Sequence, residues 1–370
     1  MDAFKRAVHR RPDGRLLVYY AWDCPLPAAP ADGLPAAPGR MELRWNAMLG
    51  EWVIVATHRQ ERTFLPPEAY CPLCPTTRPD APTEIPAAEF EVAVFENRFP
   101  SLRPDAPLPE HSPVDLGPNA RGWSAPARGA CEVVVYSPDH VRGLADLPET
   151  WMRRVVDVWA DRYAELSARD EVRYVFIFEN RGNEIGVTLT HPHGQIYAFP
   201  YLPPRIQQER GAFEAYAAGR DGRCLLCDTV EAERSSRARI VVEGDAFVAY
   251  VPYAARWPYE THIAAREHWR SLPELGPHER DDLARVYRAL LRKYDRLWGF
   301  PLPYVMSIHQ APAEGSVHAA DHLHLEFTPP YRARDRLKYL AGCETGAGSF
   351  INDTSPEEKA AELRAVEPEP

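Results

Sequence analysis

Two hydrophobic periodicities alternate along this chain. Short runs of β-branched and aromatic residues, Glu132-Val-Val-Val-Tyr136, Arg173-Tyr-Val-Phe-Ile-Phe-Glu179 and Tyr304 to His309, read as strands. Trp151 to Leu166 and Asp281 to Trp298 carry helical periodicity instead. In the second of these, Leu283, Val286, Tyr287, Leu290, Leu291 and Tyr294 form one apolar stripe. Ile240 to Val251 reads as a hairpin, and Gly182 and Gly186 mark a turn leading towards the strand formers Ile196-Tyr-Ala-Phe199. Mixed α and β content follows.

The order of these features repeats. The first half runs CxxC (Cys71/Cys74), a strand ending in Ser137-Pro-Asp-His140, a helix, a strand, and His191-Pro-His193-Gly-Gln195. The second runs CxxC (Cys224/Cys227), the hairpin, a strand ending in Arg266-Glu-His268, a helix, a strand, and His322-Leu-His324-Leu-Glu326. Such recurrence predicts a duplicated, strand-rich unit. Residues 25–39 are rich in Pro and Ala and read as a linker, so the packed core is expected to start near Met41. The predicted organisation is an N-terminal extension (1–40), a first unit (41–200), a second unit (201–335) and a tail (336–370). The acidic end after Glu367 reads as solvated.

At 370 residues the chain has room for two sizeable cores. Met1-Asp-Ala-Phe-Lys-Arg lacks an apolar signal core, and no run approaches the roughly 20 apolar residues that cross a bilayer, so a cytoplasmic protein with no membrane partner is expected. A net charge of −10 disfavours broad binding to nucleic acid but leaves room for a local basic pocket that takes small phosphorylated ligands.

Seven cysteines, an odd count, argue against a disulfide framework. The two CxxC pairs, in Cys-Pro-Leu-Cys and Cys-Leu-Leu-Cys, read as turns. Redox pairs are one reading of them, but the repeat favours metal: it matches Cys71, Cys74, His140 and His191 with Cys224, Cys227, His268 and His322, two Cys₂His₂ sets whose ligand types suit tetrahedral zinc. His140 and His268, each after a strand and before a helix, also fit plain helix-start positions. His191, His193 and Gln195 share one face if their segment is a strand, so a neutral imidazole could attack a phosphate while its neighbour is fixed by a metal. An ordinary surface or core pair is the bland alternative.

Phe178-Glu-Asn-Arg-Gly182 followed by His191-Pro-His-Gly-Gln195 closely resembles the galactose-1-phosphate uridylyltransferases, the transferase branch of the histidine-triad superfamily. The likeness continues through His58-Arg59-Gln-Glu-Arg62, Phe95-Glu-Asn97, Ser137-Pro-Asp-His140, His309-Gln-Ala-Pro312 and Lys338 to Glu344. It implies an α+β fold of two tandem histidine-triad-like units, mostly antiparallel sheet, forming a half-barrel. It also implies a nucleotidyltransferase of galactose metabolism, the Leloir pathway: His193 takes the uridylyl group from UDP-glucose, releases glucose 1-phosphate, and passes the group to galactose 1-phosphate to give UDP-galactose. Arg59, Arg62, Thr188 and Gln195 are the expected donors to phosphoryl oxygens. Asn97 and Asn180 match positions near nucleoside and phosphate. Lys338 and Glu344 match sugar-phosphate and sugar contacts on a tail that crosses a homodimer, with Asn352 a further candidate. The first zinc set is structural by the same likeness. Gln195 stands where hydrolases of the superfamily carry a histidine, and an amide that cannot give up a proton suits transfer to an already anionic acceptor.

There are departures from the family pattern. Arg98 occupies a position that is often Asp. Better-known relatives build an iron or zinc site from a Glu and three His; Glu209, His309 and His324 match three of these ligands, and Glu326 stands for the fourth. The Cys224 set is the preferred second metal site and the Glu209 set, with Zn²⁺ or Fe²⁺, the alternative. Two rival readings are an ADP-glucose phosphorylase or related nucleotidylyltransferase, similar in its second CxxC but with His-Ser-His-Ser-Gln, and a non-catalytic zinc scaffold, against which the acidic balance speaks.

Overall fold

The computed structural model describes every residue except 1–3, 29–32, 38, 63, 79, 110–122, 314–319 and 368–370. Part of the Pro/Ala-rich linker and the extreme acidic end therefore lie outside the described residues. In chain order come β1 (Lys5–Arg10), β2 (Leu16–Ala21), β3 (Met41–Asn46), β4 (Glu51–Ala56), β5 (Val92–Glu96), β6 (Ser124–Pro126), β7 (Ala130–Val135), helix α1 (Glu149–Ser167), β8 (Tyr174–Arg181) and β9 (His193–Phe199). There follow α2 (Pro204–Ala218), α3 (Leu225–Ser236), β10 (Ile240–Glu243), β11 (Phe247–Tyr250), β12 (Thr261–Ala265), α4 (Pro277–Leu297), β13 (Tyr304–His309), β14 (His324–Thr328) and, in the tail, α5 (Gly342–Ala347) and α6 (Pro356–Ala365).

Eleven strands make one open sheet, antiparallel throughout, in the order β1-β2-β5-β7-β9-β8-β13-β14-β12-β11-β10. The duplication is visible in that order. The series β2-β5-β7-β9-β8 and β10-β11-β12-β14-β13 wind identically and meet where β8 pairs with β13. α1 and α4 occupy the same place in each half, after the third strand, and α4 follows the predicted apolar stripe, with Leu283, Val286, Tyr287, Leu290, Leu291 and Tyr294 all buried. β3, β4 and β6 form a separate small sheet.

The core does not begin at Met41. Leu16-Leu-Val-Tyr-Tyr-Ala21 is buried at every position, with Leu16, Val18 and Tyr20 in the core beneath the helices and Leu17 and Tyr19 in the core on the opposite face. A continuous apolar run is what a strand covered on both faces requires. The supposed extension thus supplies β2, the strand that corresponds to β10. Both helices pack on one face of the sheet, Trp159 and Tyr287 meeting at 5.8 Å between ring centres. The other face carries three smaller cores, around Cys71, around Cys224 and around Cys131, and the candidate chemistry gathers at the first two. Among the described residues no helix is long and apolar enough to cross a membrane.

Candidate active site and metal clusters

β9 begins at His193, so only His193 and Gln195 share the expected strand face; His191 stops two residues short of the ladder and its ring turns to the Cys71 loop. The His191 Nε2–H donates to the Ser137 carbonyl at 2.9 Å, which leaves Nδ1 facing Cys74 Sγ at 3.5 Å; His140 Nδ1 lies 3.3 Å from the same sulfur. Ligand atoms of Cys71, Cys74, His140 and His191 all lie within 4.8 Å of one another. Burial lowers His191 to about 4 and so keeps it neutral, and burial raises both thiols, Cys74 to about 12. Cys71 and Cys74 as thiolates would need a positive charge here that a divalent ion could supply, and the tautomer is already the one that ligates, so the donor set fits zinc.

The second Cys₂His₂ set repeats the geometry. His322 Nε2–H donates to the Ala265 carbonyl at 3.0 Å and its Nδ1 lies 3.4 Å from both Cys224 and Cys227 Sγ; His268 Nδ1 is 3.5 Å from Cys227. One expectation fails: this CxxC is not in a turn. Cys224 caps α3 and Cys227 sits in its first turn, a spacing that sets both sulfurs on one side of the helix start.

The set held as an alternative also assembles, with Glu209, His309, His324 and Glu326 within 4.8 Å of one another. Register explains it: His309 stands opposite His324, and His262 opposite Glu326. His309 Nδ1 lies 2.7 Å from Glu209, and Arg205 pairs with Glu326. Burial opposes charge on His309, but Glu326 and Glu209 outweigh it and raise the ring; burial also opposes ionisation of Glu326, which His309, His262 and Arg205 hold ionised far below the usual range. Sequence reasoning missed Arg205, His262 and the Glu260 carboxylate 3.0 Å from His262. Only the strand register reveals them.

His193 stands outside these three clusters. Its Nδ1–H donates to the carbonyl of His191 at 2.8 Å, and burial lowers its pKa, so the ring is neutral with the Nε2 lone pair uncommitted among the described residues. One pocket gathers His193 and Gln195 with Arg59, Arg62, Asn97 and Thr188, walled by Leu73, Phe95, Phe99 and Val133. A second cleft shares His193 and includes Asn180. The imidazole therefore stands between two cavities. Behind the strand, a Cβ on Gly194 would come within 2.2 Å of the Tyr136 hydroxyl, which donates to the buried Glu179 carboxyl at 3.0 Å, as Tyr304 does at 2.9 Å. Glycine is required there by close approach.

Lys338, Glu344 and Asn352 are brought together but line neither cleft at His193. Lys338 Nζ is 3.3 Å from Glu344 and over the Trp257 ring, and Asn352 donates to the Ala255 carbonyl at 2.9 Å.

The sequence pattern of the galactose-1-phosphate uridyl transferase N-terminal domain matches residues 39–203, and that of the C-terminal domain residues 209–369. The chain belongs to this family. It is 42% identical over 330 residues to a galactose-1-phosphate uridylyltransferase of Thermotoga maritima, covering 89% of this chain and 99% of that protein. A solved uridylyltransferase structure superposes with a TM-score of 0.76 at 36% identity, covering 88% of this chain and 98% of the other. An Arabidopsis thaliana ADP-glucose phosphorylase, solved with ADP-glucose bound, superposes with a TM-score of 0.65 at 25% identity, over 88% of this chain and 99% of that one. Of these two structures, the uridylyltransferase shares the larger fraction of identical residues with this chain.

Proposed function

We propose that the chain is a UDP-glucose–hexose-1-phosphate uridylyltransferase working through a uridylyl-histidine. The observation that carries the reading is the His193 ring, neutral, locked through Nδ1–H to the His191 carbonyl and lining two cavities. The Nε2 lone pair attacks the α-phosphorus of UDP-glucose as the bond to the bridging oxygen breaks, and glucose 1-phosphate leaves. A phosphate oxygen of galactose 1-phosphate then attacks the same phosphorus, the P–N bond breaks, and UDP-galactose forms. Arg59, Arg62, Thr188 and the Gln195 amide donate to the phosphoryl oxygens as charge builds there, Asn97 holds the nucleoside side, and Asn180 the phosphate from the other cleft.

Cys71, Cys74, His140 and His191 would hold a zinc that fixes the backbone carbonyl orienting His193, and Cys224, Cys227, His268 and His322 would hold one that braces the second unit; the Glu209 set, suited to Zn²⁺ or Fe²⁺, is the alternative second metal site. Lys338, Glu344 and Asn352 contact the sugar phosphate of a partner subunit, which makes the working form a homodimer; that they line neither cleft of their own chain supports this. The catalytic unit takes in residues 41–200 together with β1 and β2, the second unit 201–335 and the tail 336–370. Seven unpaired cysteines suit a cytoplasmic setting.

Intact-protein mass spectrometry after incubation with UDP-glucose or ADP-glucose tests this. A uridylyl adduct that needs His193 and is discharged by galactose 1-phosphate to UDP-galactose is expected. An adenylyl adduct alone would move the chain to the ADP-glucose phosphorylases.

A further inference from the structure

The pocket beside His193 contains an acid that the transfer chemistry does not use. Glu84 lines it and is 97% buried, being 3% exposed, yet stands in a loop rather than on the sheet. Its backbone N–H donates to the Pro72 carbonyl at 2.8 Å, which ties it to Pro72 and Leu73 of the same pocket wall. Both of its charged partners grip one oxygen: Arg11 Nη1 lies 2.7 Å and Arg15 Nη1 3.0 Å from Oε2. The other oxygen, Oε1, is buried with no hydrogen-bond partner. An orphaned buried acceptor costs free energy unless something outside the chain completes it. Arg11 and Arg15 precede residue 39, where the family pattern begins, so β1, β2 and their connection supply the grip.

Resting on the uridylyl reading, we propose that Glu84 is the specificity-determining residue for the nucleobase: its free Oε1 accepts a hydrogen bond from the N3–H of uracil. The two arginines act as positioning residues. They grip Oε2 and so fix how the carboxylate is turned, leaving Oε1 as the acceptor offered to the base. Cytosine presents a lone pair at N3 in place of the N–H, and that lone pair would meet the carboxylate oxygen directly. A site with a charged acceptor rejects such a base by more than a lost bond, because repulsion is added and Oε1 stays unpaired. Arg98, half-buried in the same pocket with its Nε unpartnered, offers the complementary donor for a base or ribose oxygen.

The test is binding of UMP, CMP and AMP to the metal-replete wild-type protein and to Glu84→Gln, by calorimetry. Wild type is expected to prefer UMP over CMP by about 10- to 100-fold, and Glu84→Gln, whose amide can donate to N3 of cytosine, to narrow that ratio to within about threefold. Should Glu84→Gln fail to fold for want of its arginine partners, Glu84→Asp keeps the charge and shortens the reach. It is expected to weaken UMP about tenfold with CMP unchanged. The same UMP-to-CMP ratio in wild type and variant would overturn the assignment and leave the uridylyl reading standing. Binding of AMP without UMP would overturn both, and is distinct from the first outcome.

Discussion

His193 in the first half and His324 in the second are set up alike. Each gives its Nδ1–H to the carbonyl two residues back, at 2.8 and 3.0 Å, and each follows a histidine whose Nδ1 faces two cysteines. Their surroundings across the ladder differ. β9 lies between strands that present Val133, Val135 and Phe178, and the imidazole opens on two cavities. β14 lies between strands that present His309 and His262, and Glu209, Glu326 and Arg205 close over the ring. Apolar neighbours leave a space for a phosphate that must be bound and released. Charged neighbours fill the equivalent space with their own salt bridges or with an ion. On the proposed reading one scaffold holds a reaction centre on one side of its pseudo-symmetry and a closed cluster on the other, and the residue two beyond each histidine differs accordingly: a neutral amide at Gln195, a carboxylate at Glu326.

The comparison breaks most visibly at the two histidines themselves. His193→Ala should abolish the uridylyl adduct and lower transfer by at least ~10⁴-fold, whereas His324→Ala should still form the adduct. Equal loss in both would mean that the halves are not divided as described. Next in size is the metal. Cys224→Ser should empty the second Cys₂His₂ set and lower stability by several kcal/mol on the order of a lost structural zinc, with turnover remaining in what stays folded. Metal content equal to wild type, by elemental analysis, would remove that site.

Gln195→Glu makes the first half imitate the second. A carboxylate beside the incoming phosphates should slow adduct formation by about 10²-fold through repulsion and the loss of one donor, with the fold intact by circular dichroism. An unchanged rate would show that Gln195 does not face the phosphate. The smallest effect is expected behind the strand: Gly194→Ala pushes a methyl group against the Tyr136 hydroxyl and should cost about 1–3 kcal/mol in urea unfolding. Adding Tyr136→Phe removes that hydroxyl and should return most of the loss. No recovery would place the strain elsewhere.

Much of the site was legible because its signals are local. Tyr304–His309 is a strand at the predicted bounds, α4 buries the predicted stripe, and the eight Cys and His residues of the two zinc-type sets gather as the repeat foretold. Other parts were not. Residues 16–21 were set aside with a linker because Pro/Ala-rich sequence separates them from the next strand, although their unbroken apolar run is that of a buried strand. Glu84 lies in a Pro-rich loop with no periodicity to mark it, and Arg205 and His262 matter only because β12 and α2 bring them to β14.

What the sequence by itself determined is the chemistry on offer and the repeat that carries it: which residues can ligate, attack or donate, and that they come twice. Spacing within a strand or a turn is set by backbone geometry, which a single segment contains. What the tertiary structure decided is which copy is open. That depends on the residues opposite each histidine in the sheet, and such neighbours are fixed by register and packing across the whole chain.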